Sequence, residues 1–110
     1  MENIYILKEK RTMKKHTFYS LVLGTNFKPV AKKWDGFTDG KYNYYKNEYK
    51  KWFAIEPLTG LSVINSRNTR KECEQAANTP EMLKKVKNAI TLEKINEFIK
   101  YVSEVCEPCL

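Results

Sequence analysis

The residues with the right types for bond-making chemistry are few: one histidine, His16, three cysteines, Cys73, Cys106 and Cys109, and the carboxylates among lysines, Asp35, Asp39 and Glu48. A histidine acts as a general base only with a partner that orients it or takes its proton. His16 stands between Lys15 and Thr17, with no such partner at a telling spacing. Asp35, Asp39 and Glu48 are the types that hold magnesium against phosphate in metal-dependent nucleases. Asp35 and Asp39, however, alternate with Gly36 and Gly40, a composition in which aspartate serves tight turns, and the turn reading is the one adopted. Gly24, Gly36, Gly40 and Gly60 lie too far apart to cradle a phosphate in one loop. Cys106-Glu107-Pro108-Cys109 has the spacing that lets two thiolates share a metal, and Cys73 with His16 would complete a zinc tetrahedron. The redox form of that motif needs a helix N-terminus to stabilise the thiolate. This pair instead follows an expected helix C-terminus, which disfavours negative charge. The expectation is a binding protein, not an enzyme, with no metal and no cofactor.

Binding chemistry concentrates in KYNYYKNEYKKW, residues 41–52, where five aromatic rings and four lysines share twelve positions. Three arrangements would use it. Tyr42, Tyr44 and Trp52 would be cross-strand partners filling the covered face of a sheet, with the lysines turned outward. Alternatively, exposed rings would stack on unpaired bases while Lys41, Lys46, Lys50 and Lys51, joined by Lys28, Lys32 and Lys33, follow the phosphates. In the third arrangement tyrosine and tryptophan anchor a protein interface, and the lysines then select an acidic protein surface or a nucleoprotein.

The charge distribution bears on that choice. Residues 1–55 hold 12 Lys/Arg and 5 Asp/Glu, a net of +7, whereas residues 56–110 hold 8 of each, a net of 0. A basic half joined to a neutral half reads as a polyanion surface mounted on a packing scaffold. No apolar run approaches the length of a membrane span and no hydrophobic signal region follows the first basic residues. The expectation is a soluble, cytoplasmic protein with reduced thiols and no membrane partner.

Periodicity supplies the elements that must position these residues. Met13-Lys14-Lys15 is the expected start of one domain over 13–110, with residues 1–12 a flexible extension. His16 to Leu23 is apolar on both faces and predicts a central strand. Val30 to Trp34 predicts a shorter one, with Pro29 at its start. Asp35 to Gly40 reads as a loop interrupting the sheet. Tyr42, Tyr44 and Lys46 then share one face of a third strand, and Lys41, Asn43 and Tyr45 the other. Lys51 to Glu56, the turn Pro57-Leu58-Thr59-Gly60 and Leu61 to Asn65 form a hairpin. Thr69-Arg70-Lys71-Glu72 is a capping box, and Thr79-Pro80-Glu81 opens a second helix whose inward face is Met82, Leu83, Val86 and Ile90. In a last helix capped by Thr91, Leu92, Ile95, Phe98, Ile99, Val102, Val105 and Cys106 line one side. The fold class is α+β: an antiparallel sheet of four or five strands followed by two or three helices packed on one face, the opposite face free, basic and aromatic.

Trp52-Phe53-Ala54-Ile55, the turn ending at Gly60, and Thr69-Arg70-Lys71-Glu72 opening a helix resemble the three-stranded DNA-binding domain at the N-terminus of phage and transposon integrases, over residues 50–77. That resemblance implies DNA contact through the sheet. The Lys/Asn/Tyr/Ile/Glu-rich composition and small size resemble phage and mobile-element accessory proteins, among them anti-CRISPR and other anti-defence proteins that act by stoichiometric binding. The expected function is therefore engagement of nucleic acid or a nucleoprotein complex, with inhibition of a host defence effector as its use. The expected contacts are Lys32, Lys33, Trp34, Lys41, Tyr44, Tyr45, Lys46, Lys50 and Lys51. The alternative is a protein interaction module or dimer with no affinity for nucleic acid, told apart by the steep salt dependence of phosphate binding.

Overall fold

The computed structural model describes residues 13–105. The extension over residues 1–12 and the Cys106–Cys109 pair lie outside the described residues. Five strands form one antiparallel sheet in chain order: β1 (Lys14–Leu23), β2 (Pro29–Thr38), β3 (Asn43–Lys46), β4 (Trp52–Ile55) and β5 (Ser62–Arg67). Three helices follow, α1 (Arg70–Ala77), α2 (Pro80–Ala89) and α3 (Leu92–Val105). The fold is α+β, as the pattern predicts. Among the described residues, no helix is long and apolar enough to cross a membrane.

β2 runs further than its sequence suggests. It pairs with β1 without interruption from Leu23↔Pro29 to Lys14↔Thr38, so Asp35 and Gly36 are strand residues and not loop. Asp35 accepts a hydrogen bond from the hydroxyl of Thr17, its cross-strand partner, at 2.9 Å. Gly36 is needed for proximity: a Cβ there would lie 2.1 Å from the Tyr44 carbonyl oxygen and 3.0 Å from the Phe18 ring. Glycine inside a strand marks such a close backbone approach. The true turn is only Asp39 to Tyr42. Asp39 organises it, its Oδ1 accepting from the Lys41 and Tyr42 amides at 2.9 and 2.8 Å and its Oδ2 from the Tyr44 hydroxyl at 2.7 Å.

Alternation along β3 sends Tyr44 and Tyr45 to opposite faces, and each face has its own core. Tyr42, Tyr44, Ala54 and Ile64 pack against Cys73 and Ala77 of α1 and Val86 of α2. On the other side Tyr45 joins Phe18 and Ile55, with Trp34 and Phe53 at the margin. The face opposite α1 and α2 is thus not the free surface expected from the sequence. The β1–β2 hairpin bends across it, and the Leu21 amide donates to the Gly60 carbonyl at 2.8 Å, joining the first strand to the β4–β5 turn.

The helix caps follow the sequence closely. The Thr69 hydroxyl accepts from the Glu72 amide at 3.1 Å while the Glu72 carboxylate accepts from the Thr69 amide at 3.1 Å. Thr79 caps α2 with Pro80 in its first turn. In α3 the expected inward stripe is only partly used. Phe98 is buried, but Leu92, Ile99 and Val105 are 73%, 59% and 45% exposed. The reason is that α1 and α2 already cover one sheet face and the β1–β2 hairpin fills the other. α3 is left to lie along β1 and β2 with Phe98 set against Gly60, where a Cβ would be 2.3 Å from the ring.

Gly36→Ala should therefore push β2 away from β3. We expect a loss of about 1–3 kcal/mol, the usual cost of overpacking, read as a lower urea midpoint at unchanged slope. An unaltered midpoint would show that the strands can separate there freely.

Candidate nucleic-acid interface

The two tyrosines expected to stack on bases are core residues. Tyr44 is 0% and Tyr45 6% exposed, because consecutive residues of a strand that is covered on both sides are both buried. Burial, reinforced by the Asp39 carboxylate, pushes the Tyr44 hydroxyl far above its usual range, and burial raises Tyr45 as well. Trp34 is also occupied. The Tyr45 ring stacks on it at 3.8 Å, its Nε1 donates to the Ser20 hydroxyl at 2.9 Å, and Lys32 Nζ lies 4.4 Å over the ring. These three rings are removed from the set available for stacking.

The lysines of the expected set are at the surface but divided. Lys32 and Lys33 are neighbours on β2, opposite Ser20 and Tyr19 in the register, so they leave on opposite faces. Lys41 sits in the turn between β2 and β3. Lys46, Lys50 and Lys51 cluster at the far end of β3, around the turn Asn47 to Lys51. Asn47 shapes that turn, its Oδ1 accepting from the Tyr49 and Lys51 amides at 3.0 Å each, and Lys50 takes a left-handed φ of 63°. Tyr49, on the outside of the turn, is 75% exposed.

The structure adds two arginines to this cluster. Lys46 pairs with Trp52 across β3 and β4, and Trp52 pairs with Arg67 across β4 and β5, so the three form one row on one face. Lys46 Nζ lies 5.8 Å from the Trp52 ring. Simple alternation from Ile64, which shares that face with Ala54, would send Arg67 to the other side. A register shift in β4–β5 intervenes, with Ser66 in the left-handed region at φ 56°. One extra residue in β5 turns Arg67 back onto the Trp52 face, the re-aiming that a β-bulge provides. Arg70, in the first turn of α1, places its guanidinium 4.7 Å over Phe37 and 6.0 Å from Trp52, while its Nε meets Glu74 at 3.3 Å. Phe37 and Trp52 are themselves 6.1 Å apart, and Lys15 pairs with Phe37 in the register. Lys46, Arg67, Arg70 and Lys15 thus surround two half-buried rings, next to the exposed ring of Tyr49.

The zinc constellation does not assemble around Cys73. That thiol is fully buried between α1 and the sheet, whereas His16 is exposed on β1, stacked at 6.0 Å on Phe18, which belongs to the other core. Burial pushes the Cys73 thiol up to about 12, with Arg67 pulling down and Glu74 adding to the rise. Among the described residues no group of three metal-ligating side chains converges. No protein-family model, curated protein or solved structure matches the chain.

A neutral Cys73 has a measurable consequence. Its folded pKa stands above the ordinary 9.0, so its contribution to stability is intact below about pH 9 and is lost as the pH rises towards 12. In a Cys106→Ser/Cys109→Ser variant at pH 8, we expect Cys73 to resist a thiol-disulfide reagent until urea unfolds the chain. Rapid modification of the native protein would contradict the packing of α1.

Proposed function

We propose that the protein binds nucleic acid, alone or within a nucleoprotein complex, through the face that carries Lys46, Trp52 and Arg67. The observation that carries this reading is that cross-strand row, with its bulge turning Arg67 towards Lys46 and with Arg70 above Phe37. Four cations at one end of a sheet supply sequence-independent attraction to phosphates. Tyr49 supplies an accessible ring at the edge of the row, the role first expected of Tyr44 and Tyr45, and a ring stacked on a base contributes about 1–3 kcal/mol. The +7 net charge favours the same class of partner and speeds encounter with it. In this reading the protein acts stoichiometrically, occupying a strand or the strand-binding surface of a nucleoprotein, in keeping with its resemblance to small anti-defence proteins of phages and mobile elements.

A second reading has its own observation. Leu58 in the β4–β5 turn and Ile99 on α3 are 54% and 59% exposed, and both line an open groove of about 650 Å³ with Phe18, Ile95 and Val102. Such a groove suits a protein partner and would bind it with little salt dependence.

The two readings separate in one experiment. Fluorescence anisotropy of labelled single-stranded DNA, duplex DNA and RNA is followed at two or more salt concentrations. We expect binding whose logarithm falls linearly with log salt, and a slope reduced by about 1.4–1.8 in Lys46→Ala/Arg67→Ala, from 0.7–0.9 per lost phosphate contact. Tyr49→Ala should weaken single-strand binding by about 1–3 kcal/mol without changing the slope. Failure of all three probes to bind at low salt would remove the nucleic-acid reading.

A further inference from the structure

The β1–β2 hairpin extends past the point where it is tied to the rest of the fold. At the Leu21–Ala31 pair the Leu21 amide bonds Gly60 and Ala31 is buried. Beyond it, every residue from Leu23 to Val30 except Gly24 is exposed. The tip is closed by the Gly24 amide donating to the Lys28 carbonyl at 2.8 Å and the Phe27 amide to the Gly24 carbonyl at 3.2 Å. Asn26 and Phe27 both take left-handed backbone, at φ 64° and 59°. Asparagine adopts that region readily, but a bulky aromatic is an outlier there, and such outliers cluster at functional contacts. The result is a phenyl ring held outward, 84% exposed, with Leu23 at 69% and Val30 at 38% beside it.

The surroundings of that ring narrow its partner. Residues 18–34, which form the half of the hairpin that carries the tip, contain three lysines and no aspartate or glutamate. Lys28 adjoins Phe27, and further back on β2, behind the Leu21–Ala31 pair, Lys32 and Lys33 leave on opposite faces, Lys32 over the Trp34 ring. An apolar tip with a cation at its edge and no acidic residue near it in the hairpin fits a polyanion with an apolar interior, which describes both stacked bases and an anionic bilayer. The position of Lys28 favours the bases. A ring entering a stack spans about 3.4 Å of strand and leaves its neighbour at the adjoining phosphate. The basic row at the other end of the hairpin favours the bases too, because one strand of nucleic acid then meets both ends of the hairpin. We propose that Phe27 is a wedge that inserts between bases of the bound nucleic acid, with Lys28 on the flanking phosphate and Lys33 behind it on β2. This rests on the nucleic-acid reading above and adds a second contact to it. From Phe37 to Pro29, β2 spans eight steps, at most about 27 Å at 3.4 Å per residue, and the bend of the hairpin shortens the separation, so tip and row meet one strand within about eight stacked nucleotides.

The test uses the full chain with single-stranded and duplex oligonucleotides carrying 2-aminopurine at regular intervals, and reads anisotropy and 2-aminopurine fluorescence together. Phe27→Asn removes the ring but keeps a residue that tolerates the left-handed turn. For the natural chain we expect a rise in 2-aminopurine fluorescence at saturation. Phe27→Asn should lose that rise and bind about tenfold more weakly, while Lys46→Ala/Arg67→Ala should retain the rise once saturated. Binding by the natural chain with no change in 2-aminopurine, or an unchanged response in Phe27→Asn, overturns the wedge and leaves the row standing. Phe27-dependent binding to phosphatidylserine vesicles, with nucleic-acid affinity unaffected by Phe27→Asn, assigns the tip to lipid and overturns it also. No binding to any oligonucleotide removes both readings.

Discussion

Tyr44 and Tyr45 leave a four-residue strand in opposite directions, and the rest of the fold is arranged around covering both. A phenol buried on either side of one short strand demands two apolar layers in a chain of 110 residues. The first comes from α1 and α2. The second is made by folding the long β1–β2 hairpin, along which α3 lies, over its own sheet, where Tyr45 lies between Trp34 at 3.8 Å and Phe53 at 5.1 Å. Each buried polar handle is accounted for: the Tyr44 hydroxyl reaches Asp39, and Trp34 reaches Ser20. No buried side-chain nitrogen or oxygen among the described residues lacks a partner. Gly36 is the geometric condition for this arrangement, since any side chain there would meet the Tyr44 carbonyl.

Covering both faces leaves the cations of the basic half at the margins. The lysines of β2 lie along the hairpin, and those after Tyr45 collect at the turn beyond β3. The platform at that turn depends on two backbone irregularities, the left-handed Lys50 and the bulge at Ser66. The same pattern recurs at Phe27, where a left-handed turn directs an aromatic residue into solvent. Locally unfavourable backbone thus sits where charged and aromatic side chains are presented, and regular backbone sits where they are packed.

α3 shows the limit of reasoning from an amphipathic pattern. Its apolar positions recur at the right spacing for a core helix, yet only Phe98 is fully buried, Ile95 and Val102 are half-buried, and Leu92, Ile99 and Val105 stay exposed, because little uncovered sheet face remains for them. The exposed Leu92 and Ile99 follow from the order of elements and the closure of the hairpin. Nothing in the helix's own residues distinguishes a stripe with a partner from one without.

What the sequence determined by itself is what local chemistry controls. The caps at Thr69 and Thr79, the hairpin through Pro57 and Gly60, the opposed faces of Tyr44 and Tyr45, and the α+β order all depend on residues a few positions apart, and all appear as the pattern predicts. The length of β2 was obscured because Asp35 and Gly36 have turn composition, and only the carbonyl of Tyr44, brought close by pairing, explains the glycine. The candidate site was legible as a cluster of lysines but not as a surface. Whether a tyrosine stacks on a base or on Trp34 is decided by what the bent hairpin covers, and whether Arg67 joins Lys46 is decided by one extra residue in β5. Both are settled by contacts between distant segments, which periodicity within any one segment does not encode.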